Sequence, residues 1–165
     1  MDLSIIIAHY DPGDYPSCIE SFHKTLNQIE SQKSDYEIEV IIADDGSVTH
    51  QDIQSLGSPV TDLDERIIYQ LKGNILENWK RKNHFDYSSI SHWLYLPKIE
   101  PMMSKARIGN AAIAKASSSN LFFLDDDNYL ISNHTIDTII NLLKQYQLVI
   151  GQIKDNNGRL RSYSS

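Results

Sequence analysis

The sequence predicts an α/β fold with a mainly parallel sheet, because short apolar segments alternate along the chain with segments of helical periodicity. The apolar segments are continuous and rich in β-branched residues, a pattern typical of parallel strands that helices cover on both faces. With 165 residues the chain has the length of about one domain. We therefore expect residues 1–165 to form a single domain around one sheet.

The first half of the chain contains two clear pairs of strand and helix. Residues 3–8 (L-S-I-I-I-A) form the first predicted strand, and a helix begins near Pro16 and continues to Ile29 with its apolar residues on one face. Residues 37–43 (E-I-E-V-I-I-A) form the second strand, which the turn-forming sequence D-D-G-S ends. A short helix at 51–56, a strand at 66–71 and a helix at 74–82 complete this half.

The second half continues the alternation. Residues 92–96 have the pattern of a strand, although the pattern alone does not place them in the sheet. Ser104 is predicted to cap an alanine-rich helix, residues 121–124 form the next buried strand, and a helix with apolar residues at 136, 139, 140 and 143 follows. The last predicted elements are a strand at 148–153, a turn at 155–158 and an antiparallel strand at 159–163.

Charge and composition exclude several classes of partner. The chain has 22 acidic and 15 basic side chains, a net charge of -7, and no dense basic stripe, so we expect no nucleic-acid partner. Cys18 is the only cysteine, which excludes a disulfide framework and suits a reducing cytoplasm. No apolar run approaches the roughly 20 residues of a membrane span. We expect a cytoplasmic location and no transmembrane segment, and leave peripheral membrane attachment open.

Three polar clusters follow predicted strands. His9, Tyr10 and Asp11 come after the first strand, Asp44 and Asp45 after the second, and the sequence D-D-D-N at 125–128 after the strand at 121–124. In open parallel sheets, ligands bind beyond the carboxyl ends of the strands, where the strand order reverses. We therefore expect the three clusters to meet at one edge of the sheet.

The chemistry of these clusters suits a nucleoside diphosphate. The adjacent carboxylates of Asp125, Asp126 and Asp127 repel one another, and Mg²⁺ or Mn²⁺ relieves that repulsion while keeping coordination sites for phosphate. The Asp45 carboxylate suits a base N–H, and Tyr10 suits stacking on the base. Asp125 and Asp126 are candidates for the ribose hydroxyls.

Three segments resemble the nucleotide-binding half of family 2 glycosyltransferases: S-I-I-I-A-H-Y-D at 4–11, V-I-I-A-D-D-G-S at 40–47, and the run at 106–128 that ends F-L-D-D-D-N. The resemblance implies the GT-A fold, a Rossmann-like three-layer α/β/α sandwich. It also implies an inverting, metal-dependent, hexosyltransferase-like enzyme that takes a UDP-sugar or a related donor. Within it, Asp45 contacts the base and Asp127, the last aspartate of the D-x-D motif, binds Mn²⁺ or Mg²⁺.

The family's A-R-N-x-G segment before the acidic motif is altered in this chain. Asn110 aligns with the family asparagine, Gly109 stands where the arginine is expected, and Arg107 lies two residues earlier. Lys105 and Arg107 are therefore the candidates for diphosphate contacts. The resemblance also places His9, Tyr10, Asp11 and Asn110 among the nucleotide-binding residues.

Two functions stay open on the sequence. The resemblance places the catalytic base well after the D-x-D motif, and we identify no base in the residues that follow Asp127. We expect the acceptor-binding half to be missing, as in a truncated or naturally short form. The chain is then either a glycosyltransferase with an unknown saccharide, lipid or protein acceptor, or a catalytically incomplete module that binds a nucleotide sugar or another partner.

Several conspicuous residues have ordinary structural interpretations. The histidines show no close metal-ligand spacing along the chain, so we predict no zinc site. Residues 80–82 (K-R-K) are predicted to be a solvated helix end. For Trp79 and Trp93, packing is favoured over stacking on a sugar. Asp44 is expected to satisfy the amides of the D-D-G-S turn.

Overall fold

The computed structural model describes residues 1–60, 67–98 and 105–151, together with Lys154, Asn157 and Arg159. Six strands form one sheet: β1 (Leu3–His9), β2 (Ile38–Asp44), β3 (Ser58–Val60), β4 (Ile68–Leu71), β5 (Ile90–Tyr95) and β6 (Leu121–Asp125). The helices are α1 (Pro16–Glu30), α2 (Ile53–Leu56), α3 (Gly73–Lys82), α4 (Lys105–Lys115) and α5 (Thr135–Leu143). A short 3₁₀ turn, Val48–His50, precedes α2.

The sheet has the order β3-β4-β5-β2-β1-β6. Strands β5, β2, β1 and β6 are parallel to one another, whereas β4 pairs antiparallel with both β5 and β3. The prediction of an α/β fold with a mainly parallel sheet is confirmed. Residues 92–95 of the segment that the sequence pattern could not place belong to β5 at the centre of the sheet.

Helices cover both faces of the sheet and make three layers. Along β1, Ile5 and Ile7 pack with apolar residues of α1, α3 and α5, whereas Ile6 packs on the other face with Ile108 of α4. This two-sided burial explains why β1 and β2 are continuously apolar. The three-layer α/β/α arrangement is consistent with a Rossmann-like sandwich.

The strand order reverses at β1. From β1 the chain passes through α1 to β2 on one side, and from β5 it passes through α4 to β6 on the other side of β1. The carboxyl ends of β2, β1 and β6 therefore lie next to one another, with His9 paired to Asp44 and Ala8 paired to Asp125. This is the place where open α/β sheets bind their ligands.

The strand assignment from the sequence needs two corrections, one for a strand that was missed and one for a strand that does not form. Strand β3 was not predicted from the sequence, and its Pro59 is accommodated because β3 lies at the edge of the sheet. The predicted strand at 148–153 does not form over its described part, 148–151, where Leu148 and Ile150 are 75% and 70% exposed. Apolar composition alone does not make a strand when no neighbouring strand pairs with it. Ser104 and most of the predicted turn and strand at 155–163 lie outside the described residues.

Lys80 is another correction, because its side chain is fully buried rather than solvated. Its ammonium group donates to the carboxylate of Glu77 at 3.1 Å and to the carbonyl oxygen of Ile90 at 3.2 Å, which fastens α3 to β5. Trp79 and Trp93 are also buried in the core, so the packing interpretation of both tryptophans is confirmed. No helix in the described part of the chain has the length and apolarity to cross a bilayer.

Gly46, in the D-D-G-S turn, is required by both its conformation and its surroundings. Its φ is +76°, in the left-handed region that favours glycine. A Cβ atom at this position would lie 2.5 Å from the backbone nitrogen of Lys98 and 2.9 Å from the carbonyl oxygen of Leu96. The turn after β2 therefore packs directly on the segment that leaves β5.

We expect Gly46→Ala to lower the free energy of unfolding by about 2–5 kcal/mol, since it adds a backbone clash to the strain of a left-handed alanine. Gly73→Ala is the matched control, because Gly73 has a φ of +60° and a Cβ added there would meet no atom within 4 Å. Strain alone should cost that variant about 1–2 kcal/mol. Urea denaturation followed by circular dichroism measures both values, and equal losses would contradict the close packing at Gly46.

Candidate functional site

A cleft of about 220 Å³ lies at the carboxyl edge of the sheet. The residues that line it come from the ends of β1, β2, β5 and β6 and from the start of α4. They are Ala8, His9, Tyr10, Ala43, Asp45, Lys98, Lys105, Asp125, Asp126 and Asp127. The three polar clusters that the sequence predicted to share one edge of the sheet do meet there.

A larger depression of about 310 Å³ lies near the opposite edge, between the end of α1 and the start of β5. The acidic group in its lining is Glu30, whose carboxylate already accepts hydrogen bonds from Ser88 and Ser89. Its described lining gathers no cluster of charged groups like the one in the 220 Å³ cleft. We therefore take the cleft at the carboxyl edge as the candidate site.

One wall of the cleft consists of Tyr10, Asp45 and Lys98. The ammonium group of Lys98 lies 3.2 Å from an Asp45 carboxylate oxygen and 4.2 Å from the centre of the Tyr10 ring. The Asp45 amide donates to the carbonyl oxygen of His9 at 2.9 Å, which fixes the turn after β2 against the end of β1. An aromatic ring, a carboxylate and an ammonium group thus share one wall.

Lys98 is a site residue that sequence reasoning missed. It follows β5, and Leu96 just before it is anchored by an amide hydrogen bond to the carbonyl oxygen of Asp44 at 3.0 Å. Lys98 could have been found only by predicting that β5 pairs parallel with β2, because that pairing brings the residues after β5 to the same edge as Asp45. The pattern of 92–96 indicated a strand but not its neighbours.

The opposite wall is the acidic turn after β6, whose three carboxylates have different surroundings. Asp125 pairs with the ammonium group of Lys105. Asp126 accepts hydrogen bonds from His9 Nδ1 at 2.8 Å and from the Tyr10 amide at 3.1 Å. Asp127 is exposed, and its carboxylate accepts no hydrogen bond from the residues that the structure describes. The repulsion within the triad is thus relieved at two positions and left open at the third.

Neighbouring side chains hold the acidic turn in place. The Thr25 hydroxyl of α1 lies 2.9 Å from the carbonyl oxygen of Asp126, 3.0 Å from that of Asn128 and 3.1 Å from that of Ser21, and it donates to one of the three at a time. The Asn128 side-chain oxygen accepts from the Asp125 amide at 3.0 Å. Asn128 therefore closes the turn itself and does not cap a following helix.

Three predicted site residues lie outside the lining of the cleft. Asp11 is buried, and its carboxylate accepts hydrogen bonds from the Gly13 amide at 2.9 Å and the Thr49 hydroxyl at 2.8 Å. It holds the loops after β1 and β2 together. Arg107 and Asn110 are exposed on α4, which buries Ile108, Ala111 and Ala112 instead.

The charges in the cleft fit a hard divalent cation. The lining contains four aspartate carboxylates and two lysine ammonium groups, which leaves an excess of two negative charges. The carboxylates are those of Asp45, Asp125, Asp126 and Asp127. Two of these carboxylates also act on Cys18 of α1: burial first, and then the charges of Asp11, Asp126 and Asp127, raise the pKa of its thiol. Carboxylate oxygens are the ligands that Mg²⁺ and Mn²⁺ prefer, so the open carboxylate of Asp127 with its neighbours suits either ion.

Beneath the cleft lies a buried polar layer. His9 stacks on Phe22 with ring centres 3.9 Å apart, and its Nε2 lies 3.3 Å from the Nε2 of His50. The Asp44 carboxylate accepts from the Ser47 amide at 2.9 Å, as predicted for the turn, and from the Trp93 indole at 3.1 Å. Burial lowers the pKa of His50, so that its imidazole is neutral at neutral pH, with Asp44 acting in the opposite sense.

This histidine pair could not be foreseen from spacing, because His9 and His50 are far apart along the chain. They meet because the 3₁₀ turn folds back under the end of β1, where the Val48 amide donates to the carbonyl oxygen of Asp11 at 2.9 Å. Tyr95 supports the same turn by donating its hydroxyl to the carbonyl oxygen of Ser47 at 3.0 Å. Burial raises the pKa of Tyr95 to about 12, which keeps that donor protonated.

Comparisons with known proteins add no family to this picture. No protein-family model matches the chain, and a search of curated proteins finds no match.

Proposed function

We propose that the cleft binds a nucleoside diphosphate sugar together with Mn²⁺ or Mg²⁺, as the donor site of an inverting glycosyltransferase. The observation that carries the proposal is the meeting of Tyr10, Asp45 and the open carboxylate of Asp127 in one cleft at the point where the strand order reverses. The segments that resemble family 2 glycosyltransferases end at this same edge. UDP-sugars are the donors that we propose first.

The base would occupy the wall formed by Tyr10 and Asp45. The Tyr10 ring offers a stacking surface, and the Asp45 carboxylate accepts a hydrogen bond from a base N–H. Lys98 lies against both groups, at 4.2 Å from the ring centre and 3.2 Å from the carboxylate. Binding of the base would therefore exchange the Lys98 contacts for contacts with the nucleotide.

The diphosphate would lie toward the acidic turn. Asp127 would hold the cation, with Asp125 and Asp126 beside it and available to the ribose hydroxyls. When bound, the cation supplies Lewis-acid stabilisation of the charge that develops on the departing nucleoside diphosphate. Lys105, at the start of α4 and paired with Asp125, is the basic group of the lining that is placed to meet a phosphate oxygen when that pair opens.

A binding module without transfer is the second candidate function. It is favoured by one observation: the only imidazole of the described lining, that of His9, is occupied by Asp126 and His50, and the carboxylates there are the ones proposed to meet base, ribose or cation, so no base is left for an acceptor hydroxyl. The acceptor of a transferase would be a saccharide, a lipid or a protein. Release of UDP from a UDP-sugar on addition of an acceptor supports transfer, and donor binding without such release for all three acceptor classes supports the module.

We expect Asp127→Asn to remove the metal dependence of nucleotide binding, because the amide keeps the size of the side chain but not its charge. Calorimetric titration of UDP with and without Mn²⁺ measures the effect. The wild-type chain should bind at least about tenfold more tightly with Mn²⁺, a difference of ~1.4 kcal/mol that the variant loses. Asp86→Asn, at an exposed aspartate near the start of β5, is the control. No metal-dependent binding of any nucleoside diphosphate to the wild type would refute the proposal.

Substitutions at Tyr10 test the stacking role separately. Tyr10→Ala should weaken UDP binding by about 1–3 kcal/mol, the usual value of a base stacked on an aromatic ring. Tyr10→Phe keeps the ring and should bind within about twofold of the wild type. The same calorimetric titration compares the two variants, and an equal loss in both would assign the effect to the hydroxyl group and contradict stacking.

A further inference from the structure

The buried layer beneath the cleft gathers three groups that are known as metal ligands. His9 ends β1, Asp44 ends β2 and His50 ends the 3₁₀ turn, and all three side chains are buried. One ligand atom from each lies within 4.8 Å of the other two. Two imidazoles and a carboxylate form a donor set different from the carboxylates above them.

We propose that His9, His50 and Asp44 form a buried site for a divalent transition metal ion of the zinc class, separate from the cation site at Asp127. The distance between the two Nε2 atoms, 3.3 Å, carries the geometric part of this inference. Zinc to nitrogen bonds of about 2.0–2.1 Å in a tetrahedral site place two nitrogen ligands about 3.3–3.4 Å apart. The two imidazoles are thus already separated as a shared tetrahedral ion requires.

The surroundings of the ligands support the same conclusion. Histidines that bind a metal through one ring nitrogen almost always donate the other N–H to a carboxylate, a carbonyl group or water. His9 Nδ1 lies 2.8 Å from the Asp126 carboxylate, which is this arrangement. The Asp44 carboxylate accepts hydrogen bonds from Ser47 and Trp93. The side chains of His9 and Asp44 are therefore both oriented before any ion binds.

Charge provides an independent reason. Asp44 is fully buried, and it forms no ion pair with a lysine or arginine within the described ranges. Buried charges in proteins are paired or coordinate a metal, because an isolated carboxylate is costly to remove from water. A divalent cation between Asp44 and the two imidazoles would supply that compensation.

Binding requires a change of tautomer at His50, whose Nδ1 is buried and has no hydrogen-bond partner among the described residues. The Asp126 carboxylate accepts from His9 Nδ1, and in the neutral tautomer that matches this contact His9 Nε2 carries a lone pair that faces His50 Nε2. Moving the His50 proton from Nε2 to Nδ1 frees the second lone pair without changing the charge of either ring. Three protein ligands leave one tetrahedral position, which suits a water molecule.

The two proposed sites differ in the ions that they prefer. Imidazole ligands suit Zn²⁺ and Co²⁺, whereas a set of carboxylates suits Mg²⁺ and Mn²⁺. An ion in the buried site would bind the end of β1, the end of β2 and the 3₁₀ turn together. Its role would be to hold the floor of the cleft, directly below Tyr10 and Asp45.

The experiment uses the full chain purified without a histidine tag, and refolded with Co²⁺ or Zn²⁺ because the site is buried. We expect about one Co²⁺ per chain with the intense visible absorption of tetrahedral cobalt, displacement of Co²⁺ by Zn²⁺, and a higher melting temperature with Zn²⁺. His50→Gln and Asp44→Asn should each weaken Co²⁺ binding by at least about tenfold. His134→Gln, at an exposed histidine, is the matched control and should bind like the wild type.

The outcomes separate this proposal from the nucleotide site. Asp127→Asn should keep the cobalt spectrum, and Mn²⁺-dependent UDP binding is measured independently of it. Circular dichroism identifies a variant that fails to fold. Two different ligands are substituted so that the test can still be made with one variant if the other does not fold. The proposal is overturned if the refolded wild type takes up no Co²⁺, if the bound Co²⁺ has only the weak absorption of an octahedral ion, or if either folded variant binds as tightly as the wild type.

Discussion

The position of β1 between β2 and β6 is the constraint on which the whole site depends. Its parallel register pairs His9 with Asp44 on one side and Ala8 with Asp125 on the other. A shift of one residue would turn every side chain of β1 to the opposite face of the sheet. That shift is prevented because β1 is buried on both faces, by α1 and α5 on one side and by α4 on the other. Packing of the core thus fixes, to within one residue, which polar groups meet at the carboxyl edge.

The acidic turn shows how the fold tolerates three adjacent carboxylates. Asp126 points toward β1, where it accepts from His9 and from the Tyr10 amide, and Asp125 pairs with Lys105. Both interactions offset the repulsion within the triad, because each supplies a hydrogen-bond donor or a positive charge. Asp127 has neither among the described residues and faces the cleft. The three aspartates are therefore not equivalent, since the fold pairs two of them and leaves the third open to the cleft.

The sequence alone predicts those parts of the fold and site that depend on local pattern. Tyr10, Asp45 and Asp127 were found because each follows an apolar strand within three residues, and parallel strands end at a common edge. Lys98 and His50 were not found, because their places depend on which strand pairs with β5 and on how the 3₁₀ turn folds back. The strand prediction was wrong over 148–151 for a related reason. The apolar residues there have the composition of a strand, but composition does not determine whether another strand pairs with them. Arg107 and Asn110 were placed by resemblance to a family segment, and helix α4 faces the sheet with its alanines and Ile108 instead.

The cleft and the buried layer beneath it are joined through one side chain. Asp126 accepts from His9 Nδ1 below and from the Tyr10 amide at the surface, so it connects the histidine pair to the residue that is proposed to stack on the base. Thr25 holds the backbone of the same aspartate from α1. An ion bound by His9 would strengthen the hydrogen bond to Asp126, because coordination makes the imidazole N–H a better donor. Asp126 thus supports the cleft through the Tyr10 amide and the proposed buried metal site through His9, so the order of the cleft depends on the order of the layer under it.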